Sequence, residues 1–304
     1  MNRRNFTKGI AMASLATSSK MIHPKSKFNK HTMVEFNLKF APHIGMFPLL
    51  AGKDVLDQLR FMADQGFTAF EDNEMRNRSV KLQEAMAKIM VNRKIEMGVL
   101  VAHKIYWKEA NLASGHEDYR AEFLSDISNS IEVAKRVNAR WMTVVPGHED
   151  LHLDEGYQTA NVIETLKRAC ELLEKENIVM VLEPLNFRDH PGQFLTKAAQ
   201  AYQICKAVDS PSCKILFDVY HQQIQEGNII PNIDATWDEI AYFQVGDNPG
   251  RKEPTTGEIN YKNVFMHLHK KNYTGIIGME HGVKNETKTG EQKVIDIYRG
   301  LDVK

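Results

Sequence analysis

Four apolar runs in the second half of the chain each end in a polar side chain able to ligate a metal. IVMVLEP reaches Glu183, KILFDVYH reaches Asp218, AYFQVGD reaches Gln244 and GIIGMEHG reaches Glu280. The gaps of 35, 26 and 36 residues (183 to 218, 218 to 244, 244 to 280) match one strand-plus-helix unit of a (β/α)8 barrel, in which about 250 residues make eight units. A short apolar run between helical stretches reads as a buried parallel strand, and parallel barrels build their chemistry at the carboxyl ends of such strands. The spacing therefore puts all four residues on one rim. Three carboxylates converging there would repel one another unless a cation neutralised them. One bound divalent metal is the economical explanation.

The rest of the chain fits the same plan. Further strand-like runs lie at LKFAP (38–42), FTAFED (67–72), IEMGVLVA (95–102) and WMTVVPG (141–147). Helix-period stretches alternate with them: KDVLDQLRFMADQG (53–66), SVKLQEAMAKIMVNRK (79–94), EDYRAEFLSDISNSIEVAKRVNA (117–139), TANVIETLKRACELLEKEN (159–177) and LTKAAQAYQICKAV (195–208). Eight strands with interposed helices predict an α/β chain folded as a single closed barrel over residues 34–304, with no Gly/Ser/Pro linker to divide it. An open doubly wound sheet would carry a Gly-rich phosphate turn after its first strand. Here that position reads PHIGMFPLLAGKD, which supports neither a nicotinamide nor an ATP site.

Composition narrows the partners. With 42% hydrophobic and 26% charged residues among 304, the chain can bury a substantial core and is a globular protein. Lys plus Arg and Asp plus Glu are both 39, so no basic field gathers phosphate backbones, and nucleic acid is excluded as the expected partner. Cys170, Cys205 and Cys213 lack zinc-type spacing and read as core thiols. Residues 1–33 differ in character: Arg3-Arg4, then Phe6 and Lys8, lead into a short Ala/Ser-rich stretch that resembles a twin-arginine export signal followed by a linker. This predicts a periplasmic or otherwise exported protein, with a cytoplasmic one as the alternative. No segment approaches the roughly 20 consecutive apolar residues of a membrane span.

The rim residues suggest a reaction. Oxygen donors such as Glu183, Asp218, Gln244 and Glu280 suit Mg, Mn or Co, with Zn admissible, and leave coordination positions for two substrate oxygens. A cation chelating a hydroxyl and the adjacent carbonyl acidifies the C–H between them. Glu183 and Glu280, on separate strands, can then take that proton and return it, to the neighbouring carbon or to the opposite face. A single strand-end carboxylate is more often a helix cap or surface ion pair; four at successive strand ends shift the balance. His221, three residues after Asp218, and Arg251, in the long polar loop DNPGRKEPTTGEINY (247–261), are candidates for gripping substrate oxygens. The first-half rim offers His43, Glu71, Glu74, His103 and His148, each readable as a packed or solvated side chain. Among them Glu71 and His103 are the candidate substrate contacts.

The segments LEPLNFRDHPGQFLT (182–196), FDVYHQQ (217–223), QVGDNPGRKEPTTGEINY (244–261) and GMEHG (278–282) resemble those of the hydroxypyruvate isomerase family, within the xylose isomerase-like barrel superfamily. The resemblance covers most of residues 38–300 and is strongest after 180. It implies a TIM barrel with a divalent metal at Glu183, Asp218, Gln244 and Glu280. It also implies that Glu183 and Glu280 are paired acid/base carboxylates and that His221 and Arg251 contact a small carbohydrate or hydroxy-keto acid. Related ketose 3-epimerases usually carry His where this chain has Gln244, so the isomerase branch is the nearer match and 3-epimerisation the alternative. The departures lie in EDNEMRNRS and VAHKIYWKE, after the second and third strands, loops that would cover the substrate. The resemblance therefore bears on reaction type more than on substrate. Rivals from other classes are a noncatalytic sugar-binding barrel, which needs no second base, and an apurinic endonuclease of the same superfamily. The nuclease needs a histidine-rich cluster with Asp-x-His after the seventh strand, where this chain reads Asp247-Asn248-Pro249-Gly250-Arg251. Oligomeric state is left open, a homo-oligomer included.

Overall fold

In the computed structural model, which describes residues 34–303, strands and helices alternate from end to end; the export-signal reading of residues 1–33 lies outside these residues. The order is β1 (Lys39–Pro42), α1 (Pro48–Ala51), α2 (Val55–Asp64), β2 (Ala69–Phe70), α3 (Val80–Arg93), β3 (Glu96–Met97) and β4 (Leu100–Val101). It continues with α4 (Glu117–Val137), β5 (Trp141–Val144), α5 (Glu155–Leu173), β6 (Val179–Leu182), α6 (Ala198–Val208), β7 (Cys213–Asp218) and α7 (Val219–Gln225). The last elements are α8 (Ile229–Thr236), β8 (Ile240–Gln244), α9 (Tyr261–Lys270), β9 (Ile276–Met279) and α10 (Lys288–Leu301).

Seven strands form a curled parallel sheet in the order β1-β9-β8-β7-β6-β5-β4, and β2 pairs in parallel with β3. The seam between the two is hydrogen-bonded. The Glu71 N–H donates to the Pro42 carbonyl (3.0 Å), and the Ile44 N–H donates to the Glu71 carbonyl (3.1 Å). Since β3 and β4 are one passage of the chain, eight strand positions close a (β/α)8 barrel. The run 95–102, read as one strand, is interrupted at Gly98-Val99. Here the backbone passes against the barrel interior: a Cβ on Gly98 would lie 2.3 Å from the Tyr242 hydroxyl oxygen. The position takes glycine for lack of space rather than for its torsion angles.

Two apolar layers hold the barrel. A small inner cluster of Ala41, Ala69, Val99, Val179, Val181, Leu216, Tyr242 and Ile276 fills it. A much larger cluster lies between strands and helices, where alternate strand residues such as Phe217, Phe243 and Ile277 meet helix faces such as those of Val264 and Phe265. Every residue of β6 is buried, as expected of a strand covered on both faces. Cys170, Cys205 and Cys213 are free and buried in the outer layer. Among the described residues, no helix is long and apolar enough to cross a membrane.

Candidate active site

The sheet register brings the four strand-end residues together. Asp218 and Gln244 are the last residues of β7 and β8 and face each other directly across the pair, while Gln244 faces Gly278 of β9. Glu183 and Glu280 stand one residue beyond β6 and β9. Two acids thus flank an acid–amide pair on four successive strands. Asp218 also caps α7: its Oδ1 accepts the Tyr220 N–H (2.8 Å), a bond that satisfies an orphan helix donor. Its other oxygen is left to face the site.

Arg251 enters this cluster from its loop. Nη2 donates to Asp218 Oδ2 (2.9 Å) and to Glu280 Oε2 (2.7 Å), and the guanidinium lies 4.9 Å above the Tyr220 ring. Burial opposes its charge, but Glu280, Asp218 and Glu183 outweigh that and raise its pKa further. Burial and the charges of Glu280 and Asp218 push the Glu183 carboxyl well above its ordinary range. Asp218 is also raised by burial, with the nearby guanidinium pulling the other way. A second donor, Asn73 Nδ2, reaches Glu280 Oε1 (3.1 Å).

His221 is neutral and its tautomer can be deduced. Burial, then the charge of Arg251, pulls its pKa down to about 3. Asn186 Oδ1 accepts the N–H groups of Arg188 and Asp189 (both 3.0 Å), so the Asn186 amide nitrogen is the atom left facing His221, 2.7 Å from Nδ1. Nδ1 also accepts the Asn186 backbone N–H (3.2 Å). With Nδ1 an acceptor, the proton sits on Nε2. Nε2 lies 3.7 Å from both Glu183 Oε1 and Asp218 Oδ2, beyond direct hydrogen bonding and free to donate to a ligand oxygen.

The donor set fits a divalent cation. Ligand atoms of Glu183, Asp218 and His221 can lie within 4.8 Å of one another. Of these, protonated Nε2 makes His221 a donor rather than a ligand in this tautomer. Gln244 Oε1 is buried without a hydrogen-bond partner, which for an amide oxygen beside buried carboxyls marks an uncommitted acceptor. Beside Arg251 and Glu280 a cavity of about 430 Å³ opens, lined also by His43, Asn73 and Arg78, within the usual size of small-ligand sites.

The first-half candidates sit differently. Glu71 is buried below the rim, with Oε1 accepting from Gln244 Nε2 (3.2 Å). His103 is buried against Phe123, its Nδ1 at the Lys104 carbonyl (2.8 Å) and its Nε2 accepting the Val145 N–H (3.2 Å). Both its ring nitrogens are engaged by backbone, and burial lowers its pKa to about 4. His43 lines the cavity mouth, and His148 Nδ1 lies 2.8 Å from the Glu149 carbonyl. Asn186 and Tyr220 belong to the polar runs Glu-Pro-Leu-Asn (183–186) and Asp-Val-Tyr-His (218–221) that the sequence places directly beyond the strands, whereas Asn73 is a neighbour of the acids that the sequence does not single out. Proximity to Glu183 and to Asp218 is the signal for the first two; Asn73 has none.

A profile described as xylose isomerase-like TIM barrel matches residues 59–299. Hydroxypyruvate isomerase of Escherichia coli (strain K12) is 32% identical over 178 residues, covering 59% of this chain and 69% of that one. The 2-oxo-tetronate isomerase of Pectobacterium atrosepticum is 28% identical over 258 residues, covering 83% and 95%. Among solved structures, a 3-keto-D-glucoside 4-epimerase from E. coli superposes with TM-score 0.73 at 20% identity, over 87% of this chain and 98% of that one. A family 2 AP endonuclease from Brucella melitensis gives the same TM-score at 23% identity, over 83% and 96%. At such identities the structural likenesses speak for the fold alone. The chain belongs to the xylose isomerase-like TIM barrel family and is an enzyme of the isomerase class.

Proposed function

We propose that the protein is a metal-assisted isomerase of a small sugar or hydroxy-keto acid, moving a carbon-bound proton between adjacent positions. The observation that carries this reading is the arrangement of two glutamates, Glu183 and Glu280, flanking the facing pair Asp218 and Gln244 on consecutive strands. A binding protein has no use for a second base. One divalent ion held by Glu183, Asp218, Gln244 and Glu280, Mg, Mn or Co by the all-oxygen donor set and Zn as a further candidate, would polarise the substrate carbonyl when bound.

The remaining work falls to the chain. His221 presents an Nε2–H for a substrate oxygen, and its neutrality lets it donate without adding charge beside the acids. Arg251 offers guanidinium donors from the opposite loop. We assign Glu183 as the base that takes the carbon-bound proton, since its Oε1 lies 3.7 Å from the His221 Nε2 that would hold the substrate oxygen. Glu280, partly exposed and hydrogen-bonded by Asn73 and Arg251, delivers a proton to the neighbouring carbon or to the other face. Delivery to the same carbon from the other face would be 3-epimerisation, the second reading supported by two bases on separate strands.

Proton exchange tests the reading. Mn²⁺-supplemented protein in deuterated water, offered hydroxypyruvate, 2-oxo-tetronate and ketoses, should incorporate deuterium at the carbon beside the carbonyl, seen by NMR. Label on the neighbouring carbon after turnover assigns isomerisation, and label at an inverted centre assigns epimerisation. Absence of exchange from every compound leaves a sugar-binding barrel instead. The same proposal includes export directed by Arg3-Arg4. A double Lys substitution there should retain the protein in the cytoplasmic fraction, and an unchanged distribution would remove that part.

A further inference from the structure

Glu71 is a carboxyl buried at a site where an apolar side chain would pack at lower cost. It follows β2, is 1% exposed, and projects among β8, β9 and the β3–β4 passage. Two glycines make the room: a Cβ on Gly278 would lie 1.9 Å from Glu71 Oε1, and a Cβ on Gly98 would lie 3.1 Å from Glu71 Cγ. Burying a carboxyl is costly, and an aliphatic residue there would pack at no such cost. What the carboxyl gains is a partner, since its Oε1 accepts from Gln244 Nε2 at 3.2 Å.

That contact has a directional consequence. An amide has its nitrogen and oxygen on opposite sides, and only the nitrogen can donate. With Nε2 committed to Glu71, Gln244 Oε1 is left buried and unpartnered on the strand whose register partner is Asp218. The second Glu71 oxygen and the Tyr242 hydroxyl are likewise buried without a full hydrogen bond, although each perturbs the ionisation of the other. Tyr242 thus backs the carboxyl from the barrel interior, where the Gly98 backbone passes.

We infer that Glu71 is a positioning residue that orients the Gln244 carboxamide so that its oxygen, and not its NH2, faces the acid cluster. The inference rests on the proposed ligand role of Gln244. It reassigns Glu71 from substrate contact to a residue acting through Gln244. Groups that orient ligands in this way typically contribute 10–100-fold to metal affinity.

The test is Mn²⁺ affinity by calorimetry on chelator-stripped protein, with melting temperature measured alongside. Glu71→Met, similar in volume but unable to accept, should weaken Mn²⁺ binding by about 10–100-fold. Glu71→Gln keeps a carbonyl acceptor and should fall short of that loss of about 10–100-fold. If Glu71→Met fails to fold, Glu71→Asp, which withdraws the acceptor by about 1.5 Å, should show the loss instead. In a Gln244→Ala background, removing the acceptor should cost nothing further. Wild-type affinity in the acceptor-less variant, an equal loss in both backgrounds, or a loss in Glu71→Gln as large as in Glu71→Met each overturns the inference. If wild type binds no Mn²⁺, or if Gln244→Ala binds it undiminished, the ligand set itself is wrong, and the inference falls with it.

Discussion

The two halves of the barrel use their polar residues in opposite ways. From β6 to β9 the strands run four to six residues, their pairing holds to the strand ends past one register shift between Ile215 and Leu216, and the polar residues at those ends converge on one another. From β1 to β4 three of the four strands are two residues long; Glu71 is turned inward, His103 is bonded to backbone, and Asp72 is tied up by Arg78. Long registered strands aim side chains, whereas short interrupted ones accommodate what other strands aim. Polarity at a strand end is thus not evidence of chemistry until its hydrogen-bond partners are counted.

The largest test of that contrast lies in the second half. Glu183→Gln or Glu280→Gln should lower kcat by about 10²–10⁴-fold, the usual contribution of a positioned acid or base, with the circular dichroism spectrum unchanged. Near-normal turnover in either variant would remove it from the acid/base pair. Asp218→Ala comes next. It should weaken metal binding by at least the 10–100-fold typical of groups that merely support a ligand, read by metal content after dialysis. Loss of its cap on α7 should add about 1 kcal/mol of destabilisation.

The smallest effect on activity is expected in the first half. His103→Gln should alter kcat/KM by less than about tenfold, as both ring nitrogens are engaged by backbone, and its amide oxygen can accept the Val145 N–H, so the cost should stay below the ~1–3 kcal/mol of an unpaired buried donor. The pH dependence gives a sharper signature. His103 has a folded pKa of about 4 against an ordinary 6.5. Between those values the unfolded chain binds the extra proton, so its stabilisation is present above pH 6.5 and lost as pH falls toward 4. The stability difference between wild type and His103→Gln should therefore shrink across that interval. A pH-independent difference would show that the ring is not held neutral by burial.

Much of the barrel was legible because burial on both faces writes a strand as an apolar run, and the rim was legible because four such runs end in metal-capable groups. What stayed hidden depends on contacts across the barrel. The break at Gly98 follows from Tyr242, 144 positions later in sequence, and no local period records it. Glu71 looked like a rim residue because its position after β2 matched that of Glu183 after β6; only the space over Gly278 turns it beneath Gln244. The tautomer of His221 depends on how Asn186 spends its amide, a matter of loop geometry. Arg251 was recognisable as a polar loop residue, but its reach between Asp218 and Glu280 comes from a left-handed backbone at φ 49 following Gly250 at φ 100.

That reach has a consequence for assembly. A pocket that gathers carboxyl groups is a liability to a chain collapsing before any ion arrives, since mutual repulsion would strain the mouth open. The guanidinium spans two of those groups and serves as a tethered counterion, so the mouth can close on its own charges. Binding of the proposed divalent ion would then exchange a tethered positive charge for a free one rather than neutralise a bare anionic hole. Shortening or removing that arm should leave the empty protein less stable while making the ion easier to accept.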